Sequence, residues 1–430
     1  MKNQSRSFAR ARASFALLAL GVLVTVAPPA VRAGDSVTDR LQAWSRSPTA
    51  LGSLAGARQT LDHAGVHLSL FYNHLVGVVL DGGAGTGGRD RQSGSADLIV
   101  LVDTERLGLI TGGSALLHVK SQWGRNVNER VAAVSDPFDD ADGNEAIYVD
   151  QLWYEQRLWG GRVRVRLGYL DEQTILDRNA YANSEDTQFM ATFLDNDNAI
   201  VPLAIGLGAS MFVDLCERLT LIGSVADAEG QVTHAGFDTA FDDPRELFLY
   251  GELDLSASLP GPSGVLPGTY RVGVLSDPRE RVVFGTESAP GGRELEREDV
   301  GFYLSFDQRV LAARSDPRQG LGLFVRYGYR APDVNTITQF WSFGFEWTGL
   351  VPARGADAFG IGSYGAYGSQ RLRDAGDRAV GREIGIEGYY RFQLTPWLAV
   401  SPDLQLIHDP GARTTADDAW IAGLRMRVAL

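Results

Sequence analysis

From about residue 66 to its last residue the chain alternates apolar and polar side chains with a period of two, in runs about ten residues long. A β-strand sends successive side chains to opposite faces, so each run makes a strand with one apolar and one polar surface. In ELFLYGELDLSA, Leu247, Leu249, Leu253 and Leu255 share a face while Glu246, Glu252 and Asp254 share the other. In IAGLRMRVAL, Leu424, Met426, Val428 and Leu430 oppose Arg425 and Arg427. Sixteen strands are expected, at about 66–80, 95–103, 113–123, 147–158, 161–170, 203–214, 219–227, 246–258, 269–277, 300–310, 320–330, 338–348, 357–367, 382–394, 397–407 and 419–430. Such strands are long enough to cross a hydrocarbon layer at a barrel's tilt, whereas strands of soluble sandwiches run to about five or six residues. The expected class is all-β: an antiparallel transmembrane β-barrel of about sixteen strands, preceded by a short N-terminal helical segment.

The connections carry a second, independent signal. At one end they are short: WGG at 159–161, LCERL at 215–219 and TP at 395–396. At the other they are long: 124–146, 171–202, 228–245 and 278–299. Short periplasmic turns against long external loops is the asymmetry of outer-membrane barrels. A short external turn near Pro332 and a longer link, SLPGPSGVLPG, at the periplasmic end interrupt it. Trp159, Trp341, Trp347, Tyr389, Tyr390 and Trp397 sit near strand ends, where interface girdles would place them.

The N-terminus reads as an export signal. Lys2, Arg6, Arg10 and Arg12 precede the apolar run ASFALLALGVLVTVA, and Val31, Arg32 and Ala33 supply a cleavage pattern after Ala33. The expected organisation is therefore signal peptide 1–33, a partly helical periplasmic segment 34–65, and a barrel 66–430. Losing residues 1–33 removes five basic residues and no acidic ones, so the formal charge of −13 becomes −18. An exported chain this acidic makes a poor nucleic-acid binder. Cys216 is the lone cysteine, which excludes an intramolecular disulfide and a cysteine metal cluster. No cofactor or metal site is expected.

Candidate function-bearing residues gather around GRVRVRLGYL. Arg162, Arg164 and Arg166 alternate with Val163, Val165 and Leu167. In a barrel of this size the arginines would face a wet lumen and the valines lipid. A turn at Gly160 and Gly161 would set Leu158 opposite Val163, Arg157 opposite Arg164, and Glu155 opposite Arg166, with Trp153 beside them. Gln156 would then fall on the lipid face. The loop after this strand carries Asp171, Glu172, Asp177, Glu185, Asp186, Asp195 and Asp197 against Arg178 alone. It joins the fifth and sixth strands, the place where the loop of sixteen-stranded general porins folds inward. The expectation is a constriction in which Asp171, Arg178, Asn183 and Glu185 meet the arginine wall. Guanidiniums that donate, carboxylates that accept and aromatic faces that stack suit a neutral polyol. The competing use of the same acids is to solvate an external loop or to bind divalent cations between lipopolysaccharides.

Several stretches carry a family resemblance. RVRLGYLDEQTILDRNAYANSEDTQFMATFL, LSFDQRVL, GLVPARGADAFGIG, and GYYRFQLTPWLAVSPDLQLIHDPG followed by AWIAGLRMRVAL resemble the carbohydrate-selective porin family of the OprB type. LGSLAGARQTLDHAGVHLSLFYN is similar to that family's lead-in to its first strand. The resemblance implies a sixteen-stranded outer-membrane barrel that passes sugars such as glucose by facilitated diffusion through a constriction lined by charged and aromatic groups. Expected partners are small sugars, outer-membrane lipid and lipopolysaccharide, and the barrel-assembly machinery, with monomer and homotrimer both open.

Other readings fare less well. His63, His67, His74, His118, His234 and His408 stand in no GxSxG, HExxH or related frame, so no enzyme is expected. An anion-selective, phosphate-type or general porin is the stronger rival, because arginines clustered on one wall also bind phosphate-like solutes. A structural barrel that tethers the envelope would bring a peptidoglycan-binding domain, and residues 34–65 suffice for a short helix only.

Overall fold

A computed structural model describes residues 37–84, 90–141, 146–196, 205–230, 247–262, 264–286, 292–297, 299–314 and 316–430. The expected signal peptide, Glu246, Asp197 and His234 lie outside these residues. Two helices, α1 (Val37–Ser45) and α2 (Ala57–Ala64), precede the barrel. The barrel strands are β1 (Val66–Asp81), β2 (Asp90–Asp103), β3 (Gly113–Gly124), β4 (Ile147–Leu158), β5 (Val163–Asp171), β6 (Ile205–Cys216), β7 (Leu219–Asp227), β8 (Leu247–Gly261) and β9 (Gly264–Asp277). A two-residue ribbon follows, β10 (Arg281–Val282) with β11 (Leu295–Glu296), and then β12 (Asp299–Ala312), β13 (Gly320–Arg330) and β14 (Ile337–Thr348). The last barrel strands are β15 (Ala358–Gly368), β16 (Arg382–Thr395), β17 (Leu398–His408) and β18 (Ala419–Ala429).

Sixteen antiparallel strands close on themselves, because β1 pairs with β2 on one side and with β18 on the other. Tyr72 stands opposite Ala96 and Val428. Closure removes both sheet edges, so every strand has a partner for its backbone polar groups on each side. The barrel is inside out relative to a soluble fold. Leu249 is 50% exposed and Val274 53% exposed, while Arg326 and Arg425 are each 1% exposed. In water each such leucine or valine would forfeit about 1.5–3 kcal/mol of burial energy, which a lipid surrounding restores. Among the described residues no helix is long and apolar enough to cross a membrane.

The link SLPGPSGVLPG is no loop. β8 and β9 run on through it, pairing Ser258 with Pro267, Pro260 with Val265 and Gly261 with Gly264. Its prolines sit at strand ends, where a missing N–H costs the ladder little. The fifth strand begins at Val163, later than expected. Trp159, Gly160 and Gly161 all take positive φ, so the chain needs a four-residue link, and Arg162 belongs to it. Two of the six aromatics assigned to interface girdles serve elsewhere. Tyr389 points inward and donates to Glu346, at 2.5 Å. Trp397 packs 4.4 Å from Trp44 of α1 and donates to its carbonyl, at 3.1 Å. That contact, with Ala50 N–H donating to Ala429 O at 2.8 Å, seats the N-terminal segment on the β17–β18 end of the barrel.

Candidate functional site

On β4 and β5 the register sets Arg157 opposite Arg164 and Glu155 opposite Arg166. The Arg166 guanidinium lies 3.0 Å from Glu155 and 3.9 Å above the Trp153 ring. Phe212 of β6 stands opposite Arg164, whose guanidinium lies 4.5 Å above its ring. The wall is therefore arginine laid over aromatic faces. Stacking holds a guanidinium flat and leaves its in-plane N–H groups available for hydrogen bonds, as Arg166 shows in donating to Glu155. Arg157 and Arg162 are exposed, at the end of β4 and in the turn. Gln156 faces outward as expected, and its amide is satisfied: it donates to Thr111 O and Arg157 O and accepts from Tyr154.

Among the described residues, Asp171, Asp177, Glu185 and Asp186 of the following loop pair with groups other than the wall arginines. Asp171 accepts from Gln173 N–H at 3.0 Å and caps a 3-10 turn. Asp177 binds Arg326 of β13 at 2.8 Å, Glu185 binds Lys120 of β3 at 3.0 Å, and Asp186 accepts from Asn73 of β1 at 2.6 Å and lies 3.4 Å from Arg427 of β18. The charge count of the loop was legible in the sequence. The partners were not, since they come from strands scattered over the whole chain.

Backbone groups of the same segment are held as closely. Glu387 of β16 accepts from Met190 N–H at 2.6 Å and Ala191 N–H at 2.9 Å. Arg326 donates to the carbonyls of Ala182, Leu194 and Asp195; Arg425 donates to those of Glu185 and Gln188. Asp177 N–H donates to Glu252 of β8, at 2.9 Å, and Asn179 donates to Phe306 O of β12, at 3.2 Å. These partners stand on opposite sides of the ring of strands. Wall glycines make room for the segment: a Cβ on Gly322 would come within 2.0 Å of the Tyr181 ring, and one on Gly362 within 3.0 Å of Leu194 and Phe189.

Between the segment and the β9–β12 wall lies a cavity of ≈ 530 Å³. Arg178, Asn183, Thr174, Thr269, Arg271 and Asp307 contribute to its lining. Asp307 and Arg271 pair at 2.7 Å, and Asn183 accepts from Asn179 N–H at 2.8 Å. Arg271, Asp307 and Thr269 escaped the sequence reading although each follows the period-two pattern; nothing local marks which inward residues stand beside a loop. At the root of the segment Glu172 accepts from Ser224 at 2.8 Å, and burial pushes its carboxyl up to about 8. Burial likewise pushes the Tyr181 phenol up to about 12, so it stays a donor at physiological pH.

Residues 89–430 match the carbohydrate-selective porin, OprB family. The chain belongs to that family. Among the chain's relatives, the Acinetobacter baylyi protein named porin QuiX is 22% identical over 92% of this chain and 96% of its own length. Porin B of Pseudomonas aeruginosa is 25% identical over 38% of this chain and 41% of its own. The high-pH structure of Pseudomonas putida OprB superposes with a TM-score of 0.80 at 20% identity, covering 90% of this chain and 99% of that one, which establishes the shared barrel fold. As an OprB-family barrel the chain is an outer-membrane porin for sugar diffusion, of a family and fold that are channels rather than enzymes.

Proposed function

We propose that the β5–β6 loop lies across the lumen as the constriction, and that sugars the size of glucose pass through the cavity between it and the β9–β12 wall. The observation that carries this reading is the lining: two guanidiniums, one carboxylate, two threonine hydroxyls and the Asn183 amide around ≈ 530 Å³. Hydroxyls of a sugar are both donors and acceptors, so they need both kinds of partner, and a charged lining supplies them as the solute sheds water. Paired charges keep the site close to neutral where Arg271 meets Asp307 and Arg166 meets Glu155. Arg164 and Arg166 with their aromatic supports form the adjoining wall. Cleavage after Ala33 and residence among outer-membrane lipids and lipopolysaccharide belong to the same proposal.

One observation favours an anion instead. Among the described residues Arg164 and Arg178 make no ion pair, which leaves surplus positive charge beside the path. Swelling of liposomes holding the refolded protein separates the two readings. Glucose entering faster than a neutral amino acid of similar size, without block by phosphate, is the expected result. Swelling abolished by phosphate would assign the arginines to an anion.

A further inference from the structure

Three carboxylates converge where two loops meet. Asp139, of the β3–β4 connection, and Glu185 and Asp195, of the β5–β6 loop, each bring a carboxylate oxygen within 4.8 Å of the other two. Asp195 is 1% exposed. Its Oδ2 accepts from Asn196, whereas its buried Oδ1 accepts no hydrogen bond among the described residues. Neither Asp139 nor Asp195 has an ion-pair partner among those residues. The nearest ammonium, Lys120, divides itself between Glu185 at 3.0 Å and Asp140 at 3.2 Å. A buried carboxylate oxygen without a donor is costly, and a cation would answer Asp195 Oδ1 together with the Asp139 and Glu185 carboxylates beside it.

We propose that Asp139, Glu185 and Asp195 bind one Ca²⁺ ion that clips the β3–β4 loop to the β5–β6 loop. The donor set is all oxygen, which selects a hard cation over zinc or copper. Calcium takes about six to eight oxygens in flexible geometry, whereas magnesium demands a near-ideal octahedron and keeps several of its waters, so a pocket assembled from two loops suits calcium. Formal charge agrees in sign, since Asp139, Glu185, Asp195 and the adjoining Asp140 share the single positive charge of Lys120. The site is also pre-organised: Asp139 N–H donates to Met190 O, Thr192 N–H donates to Asp136 O, and the Thr192 hydroxyl donates to Asp139, each at 2.9 Å. The two loops are thus in register before any ion arrives. The consequence for transport rests on the reading of the β5–β6 loop as the constriction; the binding itself does not.

Isothermal titration of CaCl₂ into EDTA-stripped, detergent-purified protein tests the site. The expected result is one saturable site, weakened at least about tenfold by Asp195→Asn and by Glu185→Gln. It should be unchanged by Asp418→Asn, which alters the exposed His408, Asp409 and Asp418 group. A heat-modifiable band on a gel certifies that each variant is a folded barrel; where Asp195→Asn fails that check, Glu185→Gln decides, its side chain being 32% exposed. No saturable uptake by the folded wild type overturns the proposal, and so does wild-type affinity in the deciding variant, which would place the ion elsewhere. Planar-bilayer conductance with Ca²⁺ or EGTA then separates the two claims. Binding with no change in conductance upholds the calcium site and counts against the constriction.

Discussion

Two parts of the barrel wall carry arginine and acid at similar density and use them differently. On β13, β16 and β18, Arg326, Glu387 and Arg425 are spent on the β5–β6 loop: its carbonyls, its N–H groups and Asp177 occupy them, and none is more than 1% exposed. On β5, β9 and β12, Arg164, Arg166, Arg271 and Asp307 rest on aromatic rings or on each other, and Arg271 and Asp307 line the cavity. An inward charge on a porin wall therefore has two uses. It can hold a loop, in which case its hydrogen bonds are already made, or it can line a path, in which case it is left partners to offer.

The largest effect should come from the holding side. Arg326→Met nearly keeps the volume but leaves the Asp177 carboxylate and four loop carbonyls without their donor, a loss on the order of 3–5 kcal/mol for a buried pair. Loop release should raise single-channel conductance and expose the loop to protease; unchanged conductance would erase the contrast between the two walls. On the lining side, Arg164→Ala should leave the melting temperature nearly alone. It should widen the pore modestly and raise the half-saturation for sugar flux about tenfold, the worth of one hydrogen bond to a charged donor. Flux kinetics identical to wild type would remove Arg164 from the path.

Glu172 should give a smaller effect, read in pH. Its carboxyl titrates at about 8 in the folded chain against 4.5 ordinarily, so the stability of its neutral form is fully present below pH 4.5 and is lost as pH rises through about 8. Between pH 5 and 9 the melting temperature of the wild type in detergent should fall more than that of Glu172→Gln. Parallel curves would mean that Glu172 is already ionised at the foot of the loop. The smallest effect belongs to Arg162→Ala, which alters an exposed turn residue: within about 0.5 kcal/mol in stability and no change in flux. A clear loss of sugar selectivity there would extend the lining to the turn.

Most of the barrel was legible without coordinates because its rule is local. Lipid on one side and water or protein on the other force a period of two, and the sixteen segments read from it all appear as barrel strands. The boundaries that moved, at Val163 and in β8 and β9, moved for backbone reasons, three consecutive positive φ values in one case and proline-tolerant strand ends in the other. Glu155 opposite Arg166 was legible for the same reason, since adjacent strands joined by a short turn fix each other's register.

What alternation cannot supply is the angular position of a strand around the ring relative to a distant loop. Asp177 and Arg326, or Glu185 and Lys120, lie far apart in sequence, and nothing in either neighbourhood names the other. The sequence determined a barrel, its two faces, its acidic loop and its arginine strand, because period, charge and turn length are properties of neighbouring residues. Only the closed tertiary structure decided which inward charges hold that loop and which pair or stack elsewhere on the wall, because that choice depends on where closure puts β13, β16 and β18 with respect to a segment leaving β5.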